Sequence, residues 1–182
     1  YDYNKGAPVA QYKFDEGGGT IAHNEYSQAD TGSAPVGWWR MDTASSGSAD
    51  GATVADVSGN GSNGTADNGA NNTGMSWTAG KIGNGALSFD GADDYVNIGD
   101  IAAFNLTSMT VSAWIKPNTL AYMSIVDKMP WTDQATNGWR INTRTNGDIW
   151  FQYGNANGGD AAVATSAYTT GNWYLVTATY DG

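Results

Sequence analysis

Apolar and polar residues alternate along much of the second half of the chain, which is the pattern of half-buried β-strands. In the segment TVSAWIK, Val111 and Ile115 fall on one face and Trp114 falls on the other. The same alternation predicts strands at 36–41, 86–89, 95–98, 123–129 and 173–180. No window has the i, i+3, i+4, i+7 spacing of an amphipathic helix, so the pattern predicts an all-β domain.

Two segments have the residues of a tight turn between strands. In GWRINTRTNGDIWFQYG (138–154), Asn146 and Gly147 separate two alternating runs. This dipeptide predicts a type I′ hairpin, in which both central residues have positive φ. The cluster DGADD (90–94) lies between the strands predicted at 86–89 and 95–98, and it predicts a second turn.

The first half of the chain is harder to assign to strands. Residues 42–85 are so polar and rich in glycine that we expect a surface loop there rather than a packed strand pair. APVAQYKFD (7–15) resembles APVGWWRMD (34–42), so the sequence of the first predicted strand occurs twice. We interpret residues 1–33 as a junction or lead-in and residues 34–182 as the domain. We further predict that Val9–Phe14 pairs with an edge of the domain, since exposed strand edges recruit compatible strands; the alternative is that it belongs to a preceding repeat and makes no such pairing.

Composition and charge exclude several classes of function. The formal net charge is −10 with only eight Lys and Arg residues, which argues against nucleic acids and anionic membranes as partners. No apolar run approaches the length of a membrane span. The absence of cysteine excludes disulfides and thiolate metal sites, and a single histidine makes a zinc site implausible. This composition is typical of an extracellular bacterial module, and an acidic cytoplasmic protein is the alternative.

Several motifs follow one another in a specific order. They are VGWWRMD, DVSGNGSNGT, GKIGNGALSFDGADDYVNIGD, FNLTSMTVSAWIKP, IVDK and GNWYLVTATYDG. Together they resemble the laminin-G-like, concanavalin A-like jelly-roll family, in the version found in multi-domain bacterial surface proteins. The resemblance covers residues 34–182 and implies two packed antiparallel β-sheets, a β-sandwich with no fixed activity.

The resemblance also implies how this segment relates to its neighbours. Family members continue past the TYDG motif with further strands, so we expect the sandwich to be incomplete at its C-terminus. Residues 1–6 resemble the tail of a preceding repeat, which implies neighbouring repeats of the same chain. The implied location is extracellular or at the cell surface.

The segment 56–67 carries a candidate calcium site. Asp56, Ser58, Asn60 and Asp67 have the oxygen spacing of a calcium-binding loop, with Gly61 at the turn. The resemblance separately implies a structural calcium ion near this loop. The alternative is an Asx-rich turn that binds no metal.

Other motifs favour ordinary structural explanations. GNGSNG (59–64) matches a dinucleotide fingerprint but lies within a polar loop rather than between a strand and a helix. Asp90, Asp93 and Asp94 form a second acidic cluster, which a hairpin turn explains without a ligand. His23 has no nucleophile motif to serve, and we interpret it as a solvated side chain.

A glycoside hydrolase is the enzyme hypothesis that this fold raises. It needs two carboxylates that face each other across a cleft. The only glutamates are Glu16 and Glu25 in the lead-in, and no strand from residue 86 onward carries two carboxylates on one face. We therefore expect no enzymatic activity.

Aromatic residues at strand spacing are candidates for stacking on sugar rings. The candidates are Trp114, Trp139, Trp150, Tyr153 and Trp173. Core packing is the alternative at each position, although Trp114 and Trp150 fall opposite the aliphatic residues of their strands. We predict a non-catalytic binding or adhesion module that recognises glycans or surface proteins, with calcium as a structural ion. A glycoside hydrolase of the same fold and a structural spacer are the alternatives.

Overall fold

The structure is a computed structural model that describes residues 12–13, 23–24, 35–70, 74–129, 138–154, 160–164 and 167–181. The chain divides into two compact units, Tyr1–Pro35 and Val36–Gly182. This division lies close to the boundary that the sequence predicts after residue 33. The described part of the chain contains no helix with the length and apolar character of a membrane span.

The smaller unit contains one short strand pair. Strands β1 (Tyr12–Lys13) and β2 (His23–Asn24) pair antiparallel and form a two-stranded sheet of their own. Within this unit the ladder partner of β1 is β2. The other residues of 9–14 lie outside the described residues, so the pairing of Val9–Phe14 with an edge of the domain stays a prediction. His23 lies in β2.

The larger unit is built almost entirely of strands. In chain order they are β3 (Thr53–Val54), β4 (Gly64–Asp67), β5 (Ser76–Thr78), β6 (Ala86–Ser88), β7 (Tyr95–Asn97), β8 (Met109–Ile115), β9 (Met123–Asp127), β10 (Trp139–Thr143), β11 (Ile149–Tyr153), β12 (Asp160–Ala164) and β13 (Tyr174–Tyr180). A single 3-10 turn, Ala102–Phe104, is the only helical element among the described residues. The prediction of an all-β fold is confirmed.

The main core lies between two antiparallel sheets. One sheet has four strands in the order β12-β11-β10-β9, and the other pairs β13 with β8. Alternate residues of both sheets point inward, so Ile141 and Phe151 meet Met109 and Val176 in one buried cluster. Ile141 is 0% exposed. The alternation that predicts the strands at 110–116 and 173–180 thus produces the inner face of the β-sandwich.

The hairpin at 138–154 has the predicted strands but a different turn. Strands β10 and β11 pair in a regular register from Trp139–Tyr153 to Thr143–Ile149. The N–H of Gly147 donates to the carbonyl of Arg144. Among the turn residues 144–148, only Gly147 has positive φ, at 86°. A type I′ turn needs positive φ at Asn146 as well, so that part of the prediction is wrong. The loop is a three-residue turn that closes with Gly147 in the left-handed conformation.

Residues 42–85 are not the surface loop that their composition predicts. They form β3, β4 and β5, and they bury a second apolar cluster that includes Val54, Ala66 and Trp77. Trp77 is 7% exposed. The buried backbone is paired, since Gly51 donates to the Ala66 carbonyl and Trp77 donates to the Gly47 carbonyl. Small alanine side chains let these short strands pack closely, and a hydropathy pattern does not detect this.

The acidic segment DGADD does not close a hairpin. Strand β6 pairs with β5, whereas β7 pairs with β4 in the three-stranded sheet β3-β4-β7. The segment 90–94 therefore crosses from one sheet to another. The turn prediction correctly placed the end of β6 and the start of β7, but it assigned them the wrong partners.

Residues 36–41 contribute a single bridge rather than a strand. Trp39 bridges to Asp56, and Met41 has a φ of 53°, which interrupts an extended backbone. A Cβ atom on Gly37 would collide with the ring of Trp39. The Trp39 ring therefore lies against Gly37 of its own segment, and its Nε1 donates to the Ser62 carbonyl at 2.8 Å.

Candidate functional site

The carboxylate of Asp56 organises the loop that joins β3 to β4. Its Oδ1 accepts the backbone N–H groups of Trp38 at 3.0 Å and of Ser58 at 2.9 Å. Its Oδ2 accepts the N–H of Ser62 at 3.0 Å. A hydrogen bond from the Ser58 side chain and the N–H of Trp38 hold the pKa of Asp56 well below the ordinary range of aspartate. The loop therefore places several hydrogen-bond donors, mostly backbone N–H groups, around one ionised carboxylate.

Ser58 and Asn60 lie beside Asp56, as the predicted calcium site requires. The Ser58 Oγ accepts the backbone N–H of Asn60 at 3.2 Å, and the Asn60 side-chain amide donates to the carbonyl of Val36 at 3.1 Å. The Asp56 N–H donates to the side chain of Asn63 at 2.9 Å. Three of the four sequence-predicted ligands thus neighbour one another, around a single carboxylate.

Asp67 lies apart from these three residues. It ends β4, and the extended backbone from Gly64 to Asp67 spans about 10 Å. Its Oδ1 accepts the N–H of Gly69 at 2.8 Å, and its Oδ2 accepts the hydroxyl of Tyr95 at 3.0 Å. This hydrogen bond and the carboxylate charge of Asp67 raise the pKa of Tyr95. The position-12 spacing of a calcium loop does not bring Asp67 to Asp56, because a strand intervenes.

The second acidic cluster is compact in space. Carboxylate oxygens of Asp90, Asp93 and Asp94 lie within 4.8 Å of one another. Asp94 Oδ2 accepts the N–H of Asp90 at 2.7 Å, and Asp93 Oδ2 accepts the N–H of Ala70 at 2.7 Å. These carboxylates therefore hold the crossing between β6 and β7 against the loop that follows β4.

Two of the predicted sugar-stacking residues lie in the main core. Trp139 and Tyr153 are each 6% exposed and face the second sheet. Trp139 Nε1 donates to the Phe104 carbonyl at 3.1 Å, and the ring of Tyr153 stacks on Tyr180 at a centroid distance of 4.1 Å. Their rings are therefore not accessible to a ligand at the surface, and the core alternative holds for both.

Trp114 lies on the outward face of the β13-β8 sheet. It is 41% exposed, opposite Leu175 in the ladder, and Lys81 Nζ lies 5.9 Å from its ring centroid. Trp150 lies on the outward face of the other sheet. Trp114, which is exposed, and Trp150, which is partly buried, therefore belong to opposite sides of the sandwich and cannot bind one ligand together.

The outward face of the four-stranded sheet contains a stack of aromatic and cationic groups. The guanidinium carbon of Arg144 lies 3.7 Å from the ring centroid of Trp150 and 5.1 Å from that of Tyr122. Tyr122 is 47% exposed, and its hydroxyl accepts the side-chain amide of Asn142 at 3.1 Å. One face of Trp150 is thus covered by Arg144, and Tyr122 is the exposed ring of this surface.

A row of polar side chains continues from this stack along β10. Arg140 Nε donates to Gln152 Oε1 at 2.8 Å, and Asn142 lies between Arg140 and Arg144 in the strand. Asn142 is fully buried, yet its Oδ1 has no hydrogen-bond partner, and Arg144 Nε and Trp150 Nε1 also lack one. Buried polar atoms without a protein partner are rare in folded proteins, so three of them on one face make it a candidate binding surface.

We call this surface the β10 polar face; it comprises Tyr122, Arg140, Asn142, Arg144, Trp150 and Gln152. Sequence reasoning identified only Trp150 among these residues. For Arg140, Asn142 and Arg144, the signal in the sequence was their i, i+2, i+4 spacing, which alternates with the apolar positions 139 and 141. Polar residues at these positions predict an outward face with hydrogen-bonding function.

Carboxylates do not converge on this face among the described residues. Asp127 is opposite Arg140 in the ladder, and it is the one carboxylate that strands β9–β11 contribute to the β10 polar face. Its oxygens accept Met129 N at 2.8 Å and Ser124 Oγ at 3.3 Å. A concavity of about 620 Å³ at the end of β8 and β13 contains one carboxylate, that of Asp181. Neither surface offers the carboxylate pair of a glycosidase.

A comparison with family models identifies the fold family. A laminin-G model, described as the concanavalin A-like lectin/glucanases superfamily, matches residues 90–182, slightly more than half of the chain. The chain belongs to this family. The matched segment contains both sheets of the main core and every residue of the β10 polar face. The family resemblance noted in the sequence motifs is therefore confirmed.

A solved structure shows the same fold. It is the 2.1 Å crystal structure of residues 221–444 of an S-layer domain-containing protein from Clostridium thermocellum ATCC 27405. The TM-score is 0.54 at 23% sequence identity, and the alignment covers 80% of this chain and 70% of that chain. At this identity the likeness concerns the fold alone. No curated protein matches the sequence.

Proposed function

We propose that the chain is a non-catalytic binding module of an extracellular or cell-surface protein, and that its β10 polar face binds carbohydrate. The superfamily to which the chain belongs includes lectins, and the structural neighbour is an S-layer domain-containing protein. Both are consistent with a module displayed at a surface. Neighbouring repeats of the same chain would present several such faces together.

One observation carries this proposal: the β10 polar face combines an exposed ring with unmatched polar groups. Tyr122 offers an apolar ring surface that is held in place by Asn142. Arg140, Arg144 and Gln152 are partly exposed on the same face, and guanidinium and amide groups can pair with sugar hydroxyls, whereas Asn142 is fully buried and only orients the ring of Tyr122. Carbohydrate sites combine ring contacts with convergent hydrogen bonds in this way.

A glycan array with the whole chain tests the proposal. We expect glycan binding that falls about tenfold or more in Tyr122→Ala, since truncating an aromatic anchor typically removes over 1.4 kcal/mol of binding free energy. Trp114→Ala is the matched control, because it removes a similarly exposed ring from the opposite side of the sandwich. Thermal melting of both variants separates a binding defect from unfolding.

Three results would change the assignment. Binding to no glycan by the folded protein would favour a structural spacer. Equal loss of binding in Trp114→Ala and Tyr122→Ala would contradict the location of the site. Turnover of a β-glucan that disappears when Asp127 or Asp181 is changed to asparagine would favour a glycoside hydrolase of the same fold.

We also propose that the loop around Asp56 holds a structural calcium ion. The donors fit the cation in chemical type, because Asp56, Ser58 and Asn60 supply carboxylate, hydroxyl and amide oxygens. They contribute only one formal negative charge, and Asp67 lies too far along β4 to add a second. We therefore expect weak binding, with a dissociation constant on the order of 10⁻⁴ to 10⁻³ M, as in extracellular modules.

A further inference from the structure

The two arginines of the β10 polar face have no ion-pair partner in the part of the chain that the structure describes. The chain has 18 acidic and only 8 Lys and Arg residues, so carboxylates are abundant. The other described cations include Arg40, paired with Asp42 at 2.8 Å, and Lys128, paired with Asp100 at 2.6 Å. Lys81 and Lys116 also have no ion pair among the described residues, and what distinguishes Arg140 and Arg144 is their proximity in sequence: Arg140 lies in β10 and Arg144 directly follows it.

The guanidinium of Arg144 is fixed in position without a carboxylate. Trp150 supports it at 3.7 Å, and Tyr122 lies 5.1 Å away on the same surface. Tyr122 is itself held by Asn142. A guanidinium that stacks on a ring keeps its edge N–H groups directed outward, in a planar fork that matches a carboxylate. The arrangement lowers the entropic cost of forming a bidentate contact.

Arg140 extends the same surface along the strand. It lies four residues before Arg144, which places the two Cα atoms about 13 Å apart on one face. Its Nε is committed to Gln152, and the nearby carboxylate of Asp127 accepts Ser124 and Met129 rather than Arg140. The two arginines therefore outnumber the one carboxylate that strands β9–β11 place on this face, that of Asp127, and the resulting net positive charge favours an anionic ligand by charge complementarity.

We propose that the β10 polar face recognises a saccharide chain that bears carboxylates, that is, a chain containing uronic acids. Arg144 pairs with one sugar carboxylate, Tyr122 contacts the face of a sugar ring, and Arg140 meets a second acidic residue further along the chain. This inference rests on the proposed function, because it names the class of glycan that the same site selects.

The test compares each acidic saccharide with its neutral ester. Oligogalacturonate, oligomannuronate and oligoglucuronate are titrated calorimetrically against the whole chain, each as the free acid and as the methyl ester. The ester keeps the ring and removes the charge. We expect at least one free acid to bind roughly ten- to hundredfold more tightly than its ester, since hydrogen bonds to a charged group are the stronger ones. Its affinity should also fall with rising salt concentration.

Arginine variants locate the interaction. Arg144→Gln should remove most of the difference in affinity between the acid and the ester, and Arg144→Lys should restore only part of it because lysine lacks the planar fork. Arg140→Gln, a second variant at a separate position, should lower the affinity for the acidic saccharide by a smaller factor. Lys81→Gln is the control, because it removes the same charge near an exposed tryptophan on the other sheet.

The outcomes distinguish this inference from the proposed function. If acid and ester bind equally and both are lost in Tyr122→Ala, carbohydrate binding stands and the selection for uronic acids is wrong. If no saccharide binds at this face, both are wrong. If the acid binds better but Lys81→Gln weakens it as much as Arg144→Gln, the preference comes from general charge, and the assignment to Arg144 is overturned.

Discussion

The carboxylate of Asp56 accepts the backbone N–H of Trp38 at 3.0 Å, across 18 positions of sequence. In the reverse direction the N–H of Val57 donates to the carbonyl of Trp38 at 2.8 Å. These contacts join the β3–β4 loop to the first segment of the larger unit. The carboxylate therefore stabilises a long-range connection and does not merely shape a local turn.

We expect Asp56→Asn to lower the melting temperature at neutral pH and to lose part of this effect in acid. The folded-state pKa of Asp56 lies below its value in the unfolded chain. The stabilisation is therefore complete above about pH 5 and is lost as the pH falls through about 4 toward the folded-state pKa. The difference in melting temperature between the wild type and the variant should narrow between pH 5 and pH 3 without closing, because the folded-state pKa lies lower still.

Asp181→Asn provides the control for general acid effects, because it removes an exposed carboxylate at the end of β13. Its melting temperature should follow that of the wild type across the same range. A gap between wild type and Asp56→Asn that stays constant from pH 7 to pH 3 would contradict the assigned role of the ionised carboxylate.

Calcium should raise the melting temperature of metal-stripped protein. At a free calcium concentration tenfold above the dissociation constant, the expected stabilisation is about 1.4 kcal/mol. For a unit of this size, that corresponds to roughly 3–6 °C. Asp56→Asn should abolish the shift, whereas Asp67→Asn should retain it. No shift in the wild type, or an equal loss in both variants, would argue against the proposed site.

Trp77→Ala should destabilise the protein by about 3–5 kcal/mol, the usual cost of truncating a buried aromatic side chain. The prediction depends on the second apolar cluster, in which Trp77 packs with Val54 and Ala66. Chemical denaturation gives the free energy of unfolding. Ile82→Ala is the control from the same region, because Ile82 is largely exposed and its loss should change stability by less than about 0.5 kcal/mol. Similar effects for both variants would indicate that residues 42–85 do not form a core.

Gly147→Ala should cost about 1–2 kcal/mol, because an L-residue is strained at the positive φ of this turn position. The added Cβ would also lie 3.1 Å from the Tyr168 carbonyl oxygen. Thr145→Ala, in the same turn, is the matched control and should be nearly neutral. Equal stability of Gly147→Ala and the wild type would exclude the left-handed conformation at this position.

The main core was predictable because its strands are long enough for alternation to emerge. Val111 and Ile115 in β8 and Val176 in β13 face inward, as their spacing indicates. The same logic separates Trp114 and Trp150 from the aliphatic positions of their strands. It does not identify Trp139 and Tyr153 as core residues, because an aromatic side chain suits either face of a sheet.

The strand partners were not predictable from local sequence. Strands β6 and β7 are separated by a turn-like acidic segment, yet each pairs with an earlier strand, β5 or β4. Hydropathy describes one strand at a time, whereas pairing depends on which edges are free when the sheets assemble. Spacing along the chain also predicted that Asp67 and Asp56 would bind the same calcium ion. They lie apart because Asp67 is at the far end of the extended strand β4.

The sequence by itself determined the all-β class, the family and the inward positions of the long strands, since residue periodicity and family motifs are properties of the chain. Only the tertiary structure decided that residues 42–85 contain a core, because short strands of alanine and glycine are stabilised by contacts with distant segments. It also decided that Arg144 stacks on Trp150 and Tyr122. That contact depends on the register of β10 with β11 and on the loop before β9, and no local pattern encodes either.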